Sequence, residues 1–267
     1  DYDADNPLLR SSQPVDERAN LTDAFTREAN DFITRHRTQP FFLYLAYNAV
    51  HSPMQAADAY LAKFAHIPDL HRRIFAAMLA HLDDSVGSVD AQLRASGLAE
   101  NTLIVFLTDN GGPTKELTSS NGPLRGGKGE LFEGGIRVPY AVTWPGVTKP
   151  GSVIKTPVIS TDLTAMALAA AGVATPVDAD GKDLRNLLVN PDAGPLHETL
   201  YWRVGKSGAL RSGKWKLFRG GPRWELYDLE ADPSEKREVS ASHQELTKTL
   251  IARWEAWSKT QAEPLWR

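Results

Sequence analysis

At 267 residues, 42% hydrophobic and 24% charged, the chain has enough apolar material for one large domain or two smaller ones. A net charge of -3 gives no electrostatic case for nucleic acid or an anionic membrane surface, and no apolar run approaches the roughly 20 residues of a membrane helix. With no cysteine, disulfides and thiolate-bound metals are excluded.

Residues Asp1 to Ala19 are polar, carry prolines and read as irregular. Leu21, Phe25, Ala29, Phe32 and Ile33 then share one face of a helix that ends before Pro40. The stretch 41–47 is apolar at almost every position, as in a parallel strand covered on both faces, and runs into Asn48-Ala49-Val50-His51-Ser52-Pro53. Pro68 and Asp69 start a second helix, on which Leu70, Ile74, Met78, Leu82, Val86, Val89 and Leu93 recur until Gly97. A strand at 102–107 delivers Thr108-Asp109-Asn110-Gly111-Gly112, and a glycine-rich loop continues to Gly135. Val138 to Trp144 forms a short strand, and Ser160-Thr161-Asp162 caps an alanine-rich helix that stops at Gly172. Residues 176–195 have linker composition. Runs near 199–204, 208–219 and 224–229 predict a small antiparallel sheet. A final helix runs from about Ser242 to Ser258, its inner face carrying Leu246, Leu250, Trp254 and Trp257.

Three places carry chemistry. Adjacent Asp109 and Asn110 oxygens at the carboxyl end of a strand suit a hard divalent cation, although Asp-Asn-Gly-Gly is also ordinary turn chemistry. Lys128 between glycines can set a compact positive charge against an anion, or stand as a solvated loop lysine. His51 after its strand can move a proton near neutral pH, or be a turn residue before Ser-Pro. The basic residues Arg203, Lys206, Arg211, Lys214, Lys216, Arg219 and Arg223 read as solvent faces of alternating strands. Asp83-Asp84, the one adjacent aspartate pair, lies inside a helical pattern.

The order of motifs is informative: H-x-P at His51 to Pro53, T-D-N-G-G at Thr108 to Gly112, then R-G-x-K-x(4)-E-G-G-x-R-V-P from Arg125 to Pro139. Near the end, Ala209 to Leu217 and Leu226 to Glu235 extend the series. Together these motifs resemble the later part of the formylglycine-dependent sulfatases of the alkaline-phosphatase-like superfamily. The resemblance implies an α/β fold, a partial α/β/α sandwich over residues 1–190. A C-terminal subdomain, antiparallel sheet with helix, follows over 191–267. It also implies an arylsulfatase-like sulfuric ester hydrolase, in which His51 and Lys128 are catalytic and substrate-binding while Asp109 and Asn110 hold calcium or magnesium.

No C/S-x-P-S-R nucleophile motif occurs, since Ser12-Gln13-Pro14 continues Val15-Asp16. The family's early aspartate pair and its G-K-W-H-L-G-like segment are absent as well. The chain is therefore expected to supply half a site, without a formylglycine, and not to turn over sulfate esters alone. Its expected partners are an aryl sulfate or sulfated carbohydrate, the missing N-terminal segment or a second copy, with no nucleic acid and no membrane. The resemblance points to a periplasmic or secreted protein. Two other readings share the motifs: a phosphoesterase or phosphonate hydrolase of the same superfamily, and a non-catalytic anion- or glycan-binding remnant.

Overall fold

The computed structural model describes residues 7–114 and 118–263, and the chain divides into two compact units, Asp1–Thr102 and Leu103–Arg267. No helix among the described residues is long and apolar enough to cross a membrane.

The first unit opens with a hairpin where irregular chain was expected: β1 (Leu8–Arg10) pairs antiparallel with β2 (Gln13–Val15). Ser11 takes the left-handed turn conformation that glycine would ordinarily mark, so the composition gave no sign of it. Helix α1 (Leu21–His36) is capped by Asn20, whose side chain accepts from the Thr22 amide at 2.9 Å. Helix α2 (Asp58–Lys63) leads to the long α3 (Leu70–Ala95), capped by the Asp69 carboxylate at 2.7 Å from the Arg72 amide. Ala24, Ala29 and Ile33 of α1 are buried, as are Ala77, Met78 and Leu93 of α3. Polar bonds fix the helix pairing: Asn30 donates to Ser88 at 3.1 Å, and His81 Nε2 lies 2.7 Å from Asp23 Oδ1. Tyr60 of α2 stacks on His81 with ring centroids 4.4 Å apart.

The stretch 41–47 departs from expectation. It joins no ladder among the described residues, and its side chains alternate instead of being covered on both faces. Phe41 meets Phe32 edge-on at 5.7 Å, and Leu43 and Leu45 line a groove with Phe25, Ala29 and Phe32 of α1. Phe42 and Tyr44 are 76% and 80% exposed. The physical reason is that a strand is a paired state; apolar composition supplies the side chains and not the partner backbone.

The second unit begins with β3 (Ile104–Leu107), shorter than the predicted strand, followed by the turn-like α4 (Glu133–Ile136) and β4 (Tyr140–Thr143). β3 pairs with β4 and is antiparallel to it, from Ile104↔Thr143 to Leu107↔Tyr140. Behind this pair, Val105, Tyr140 and Val142 pack on Met166 of α5 (Asp162–Ala170) and on Leu184 and Leu188, the latter in α6 (Arg185–Val189). The cap of α5 differs in detail: Thr161 makes no capping bond, and the buried Asp162 carboxylate instead accepts from the Ile159 and Lys182 amides at 2.9 and 2.8 Å.

A four-stranded meander follows, β5 (Leu200–Val204), β6 (Ser207–Ser212), β7 (Trp215–Arg219) and β8 (Glu225–Asp228), with α7 (Gln244–Thr260) after it. The single run predicted over 208–219 is two strands, because Gly213 turns the chain with φ 55°. The register divides the sheet cleanly. Leu210, Leu217 and Leu226 are cross-strand neighbours and pack on Leu250 and Trp254 of α7. The opposite face, with Ala209, Phe218 and Tyr227, packs on Leu131, Phe132 and Ile136 of the glycine-rich segment. That segment is thus a structural layer of the unit.

Candidate active site

The end of β3 carries an exposed Asp109 and a half-buried Asn110. Asp109 Oδ1 accepts from the Asn110 amide at 2.9 Å, and the Asn110 side-chain amide donates to the Gly111 carbonyl at 2.9 Å. With its NH₂ turned to backbone, Asn110 keeps Oδ1 as its acceptor beside the Asp109 carboxylate.

The glycines after this pair are required by close backbone packing. Gly111 donates to the Gly135 carbonyl at 3.0 Å, and a Cβ on Gly111 would lie 1.7 Å from the Gly134 carbonyl oxygen. Gly134 in turn donates to the Arg125 carbonyl at 2.7 Å. Asn121 holds the next residue from the side: its Oδ1 accepts from the Gly112 amide at 2.9 Å, while its Nδ2 donates to the Gly112 and Gly126 carbonyls at 2.8 and 3.0 Å. Lys128 donates its backbone N–H to the Gly112 carbonyl at 3.4 Å, with Gly127 tight against the same oxygen and Gly129 at φ 83°. The backbone of Lys128 is therefore pinned next to the Asp109-Asn110 turn, and its side chain is exposed.

Below this layer is a buried ionic cluster. Lys216, fully buried on β7, lies 3.0 Å from Glu133 Oε1 and 2.9 Å from Glu235 Oε1, the second contact lacking hydrogen-bond alignment. Glu235 Oε2 accepts from the Glu133 amide at 2.7 Å, and Arg211 reaches Glu133 Oε2 at 3.3 Å. Arg125 donates to the Glu235 carbonyl at 2.8 Å and stacks over the Phe132 ring at 3.8 Å. Burial raises the Glu235 pKa, an effect that Lys216 opposes. Burial likewise pushes the Tyr227 hydroxyl, which donates to Glu225, up to about 12.

His51 belongs to the first unit, on an exposed turn closed by its own amide donating to the Asn48 carbonyl at 2.8 Å. Its Nδ1 lies 2.8 Å from the Ser52 carbonyl. A carbonyl only accepts, so Nδ1 carries the proton and Nε2 is the nitrogen with a lone pair in the neutral ring.

The donor chemistry of Asp109 and Asn110 fits a hard cation, but they are two ligands of the about six to eight that calcium takes. Among the described residues no group of three or more His, Asp or Glu stands ready to hold a metal. Sequence reasoning missed Asn121 and the cluster around Lys216. Asn121 lay unremarked inside the glycine-rich loop, and Lys216 was read as solvent-facing. It is buried because its strand position points at Glu133 and Glu235, which lie far away in sequence.

The sulfatase family profile matches residues 2–173, and the profile described as N-sulphoglucosamine sulphohydrolase, C-terminal, matches residues 127–260. Arylsulfatase J of Mus musculus is 31% identical over 90% of the chain and 49% of its own length. N-acetylgalactosamine-6-sulfatase of Mus musculus is 38% identical over 80% of the chain and 42% of its own length. The chain thus spans about half the length of these curated relatives. The crystal structure of Ps i-CgsB, also solved in complex with k-i-k-neocarrahexaose, superposes with a TM-score of 0.91 at 34% identity, covering 97% of this chain and 59% of that one. The fold is accordingly the alkaline-phosphatase-like one, here a partial α/β core with a small antiparallel sheet and helix. In general this family depends on formylglycine and a metal. The chain belongs to the sulfatase family.

Proposed function

We propose that the chain works in an arylsulfatase-like sulfuric ester hydrolase, contributing His51, Lys128, Asp109 and Asn110 to the site. The observation that supports it most is the backbone stitching of the Lys128 loop to the Asp109-Asn110 turn through Gly111, Gly112 and Asn121. Such stitching joins the backbone that carries the cationic side chain to the backbone that carries the two hard oxygen donors in one preorganised piece.

Asp109 and Asn110 would hold calcium (or magnesium), which when bound neutralises the charge on the sulfuryl oxygens. Lys128 places its ammonium against a sulfuryl or bridging oxygen, where negative charge grows as the ester bond breaks. His51 orients the ester oxygen and, in its protonated imidazolium form, gives the Nε2 proton to the departing alkoxide or phenoxide and is left as the neutral ring, still set by the Nδ1 bond to Ser52. The nucleophile is not among these residues, because C/S-x-P-S-R does not occur in them. The substrate class is an aryl sulfate or a sulfated carbohydrate, the latter supported by the oligosaccharide complex of Ps i-CgsB.

The test is hydrolysis of an aryl sulfate and of the matching aryl phosphate by the protein as encoded, with calcium present. Sulfate should be preferred, and Lys128→Ala should lower kcat by about 10²-fold or more. Preference for phosphate, or full activity without Lys128, would end this reading.

A further inference from the structure

The glycine-rich loop is anchored to the C-terminal sheet through charge, although a loop of this composition is expected to rely on backbone bonds alone. Lys216 is buried to 0% exposure, Glu235 likewise and Glu133 to 2%. A lysine in that position is paired because an isolated buried ammonium would neutralise. What distinguishes this cluster from a stability device elsewhere in the core is where its bonds lead. From Lys216 to Glu133 is one ionic contact, and Glu235 caps the amide of the same Glu133. Glu133 begins the turn whose next two residues reach the site: Gly134 donates to the Arg125 carbonyl, and Gly135 accepts from Gly111. Gly112 then accepts from Lys128. Arg125 closes the circuit by returning to the Glu235 carbonyl. Every step is a contact between groups at 2.7 to 3.4 Å.

We propose that Lys216 and Glu235 are positioning residues for Lys128 and the Asp109-Asn110 turn, acting through Glu133 and the two glycines after it. The C-terminal sheet thereby sets the geometry of the site through Glu133. This inference rests on the sulfatase reading for its catalytic consequence, and on the contacts alone for its structural one.

Two variants test it in the protein as encoded. Glu235→Gln keeps the volume and an acceptor for the Glu133 amide while removing the charge facing Lys216. Lys216→Met removes the cation, and Lys214→Ala, which loses a partly exposed pair with Asp228 on the same strand turn, is the control. Amide hydrogen exchange should quicken by about tenfold or more at Gly111, Gly134, Gly135 and Lys128 in Glu235→Gln, with Leu210, Leu217 and Leu226 within about twofold of the parent. Where sulfate hydrolysis is measurable, kcat should fall by about 10²-fold with KM little changed, because a small misplacement of a reacting group costs that much. The control should change neither readout.

Unchanged loop exchange, or exchange that quickens equally in the sheet, would overturn the proposal whatever the activity. A loosened loop with kcat intact would overturn its catalytic half and leave the sulfatase reading standing. The exchange pattern decides the positioning whether or not the parent turns over sulfate esters. Should Lys216→Met fail to fold, Glu235→Gln carries both measurements.

Discussion

Two apolar runs in this chain carry nearly the same message and meet different fates. Leu103–Leu107 and Phe41–Tyr47 each consist of strand-forming residues leading into a polar turn. The first finds β4, packs Val105 toward Met166 and Leu184, and presents Asp109-Asn110 on a backbone fixed by three glycines and an asparagine. The second finds no partner among the described residues, and half its side chains stay in solvent. The contrast teaches that the site's precision comes less from strand composition than from what the strand end is bonded to.

The largest break in that contrast should come from Gly111→Ala. The added methyl meets a carbonyl oxygen at 1.7 Å, and both partners are backbone, so relief requires losing the Gly111–Gly135 bond. We expect a loss of about 3 kcal/mol, read from urea unfolding of the second unit. A loss below about 1 kcal/mol would show that the loop can step aside cheaply.

Alkaline titration sharpens the picture of the layer beneath the loop. Tyr227 is 2% exposed and its hydroxyl is raised to about 12 in the fold, against about 10 unfolded. Because the folded pKa is the higher one, its contribution is complete below pH ~10 and is lost as pH rises through about 12. The integrated loss is about 2–3 kcal/mol. Comparing urea midpoints at the two ends of that window, the parent should lose this much more than Tyr227→Phe; equal losses would contradict the burial argument.

The smallest effects test the two runs directly. Val105→Ala should cost about 1–2 kcal/mol, since it removes methyl groups from a packed layer. Phe42→Ala, at 76% exposure, should stay within about 0.5 kcal/mol. A large loss at Phe42 would mean that the exposed face is covered in the protein as it exists.

How much of this was legible follows from which interactions are local. The T-D-N-G-G turn and the glycines at 126, 127, 134 and 135 could be read because close backbone approach leaves no other residue type. The helices α1, α3 and α7 were legible from apolar spacing, and the start of α3 from Pro68 and Asp69. The fate of 41–47 was not, since it depends on a second strand. Nor was the burial of Lys216, since its counter-charges come from Glu133 and Glu235 on other elements, and a lysine among Trp215, Leu217 and Phe218 looks like any outward strand position. The hairpin at Ser11 escaped because a non-glycine residue adopts the left-handed turn.

The clamp by Asn121 has a consequence of its own. A carboxamide holds the same donor and acceptor as a peptide unit, so at Gly112 the side chain pairs as a neighbouring strand residue would, taking the N–H and capping the carbonyl. The turn beside Asp109 is thus held on that side by neutral dipoles, which no proton can switch and salt screens little. On the other side it hangs, through Glu133, from formal charges, among them Glu235, whose pKa burial raises. One end of the loop is chemically inert to its surroundings, and the other is responsive to them.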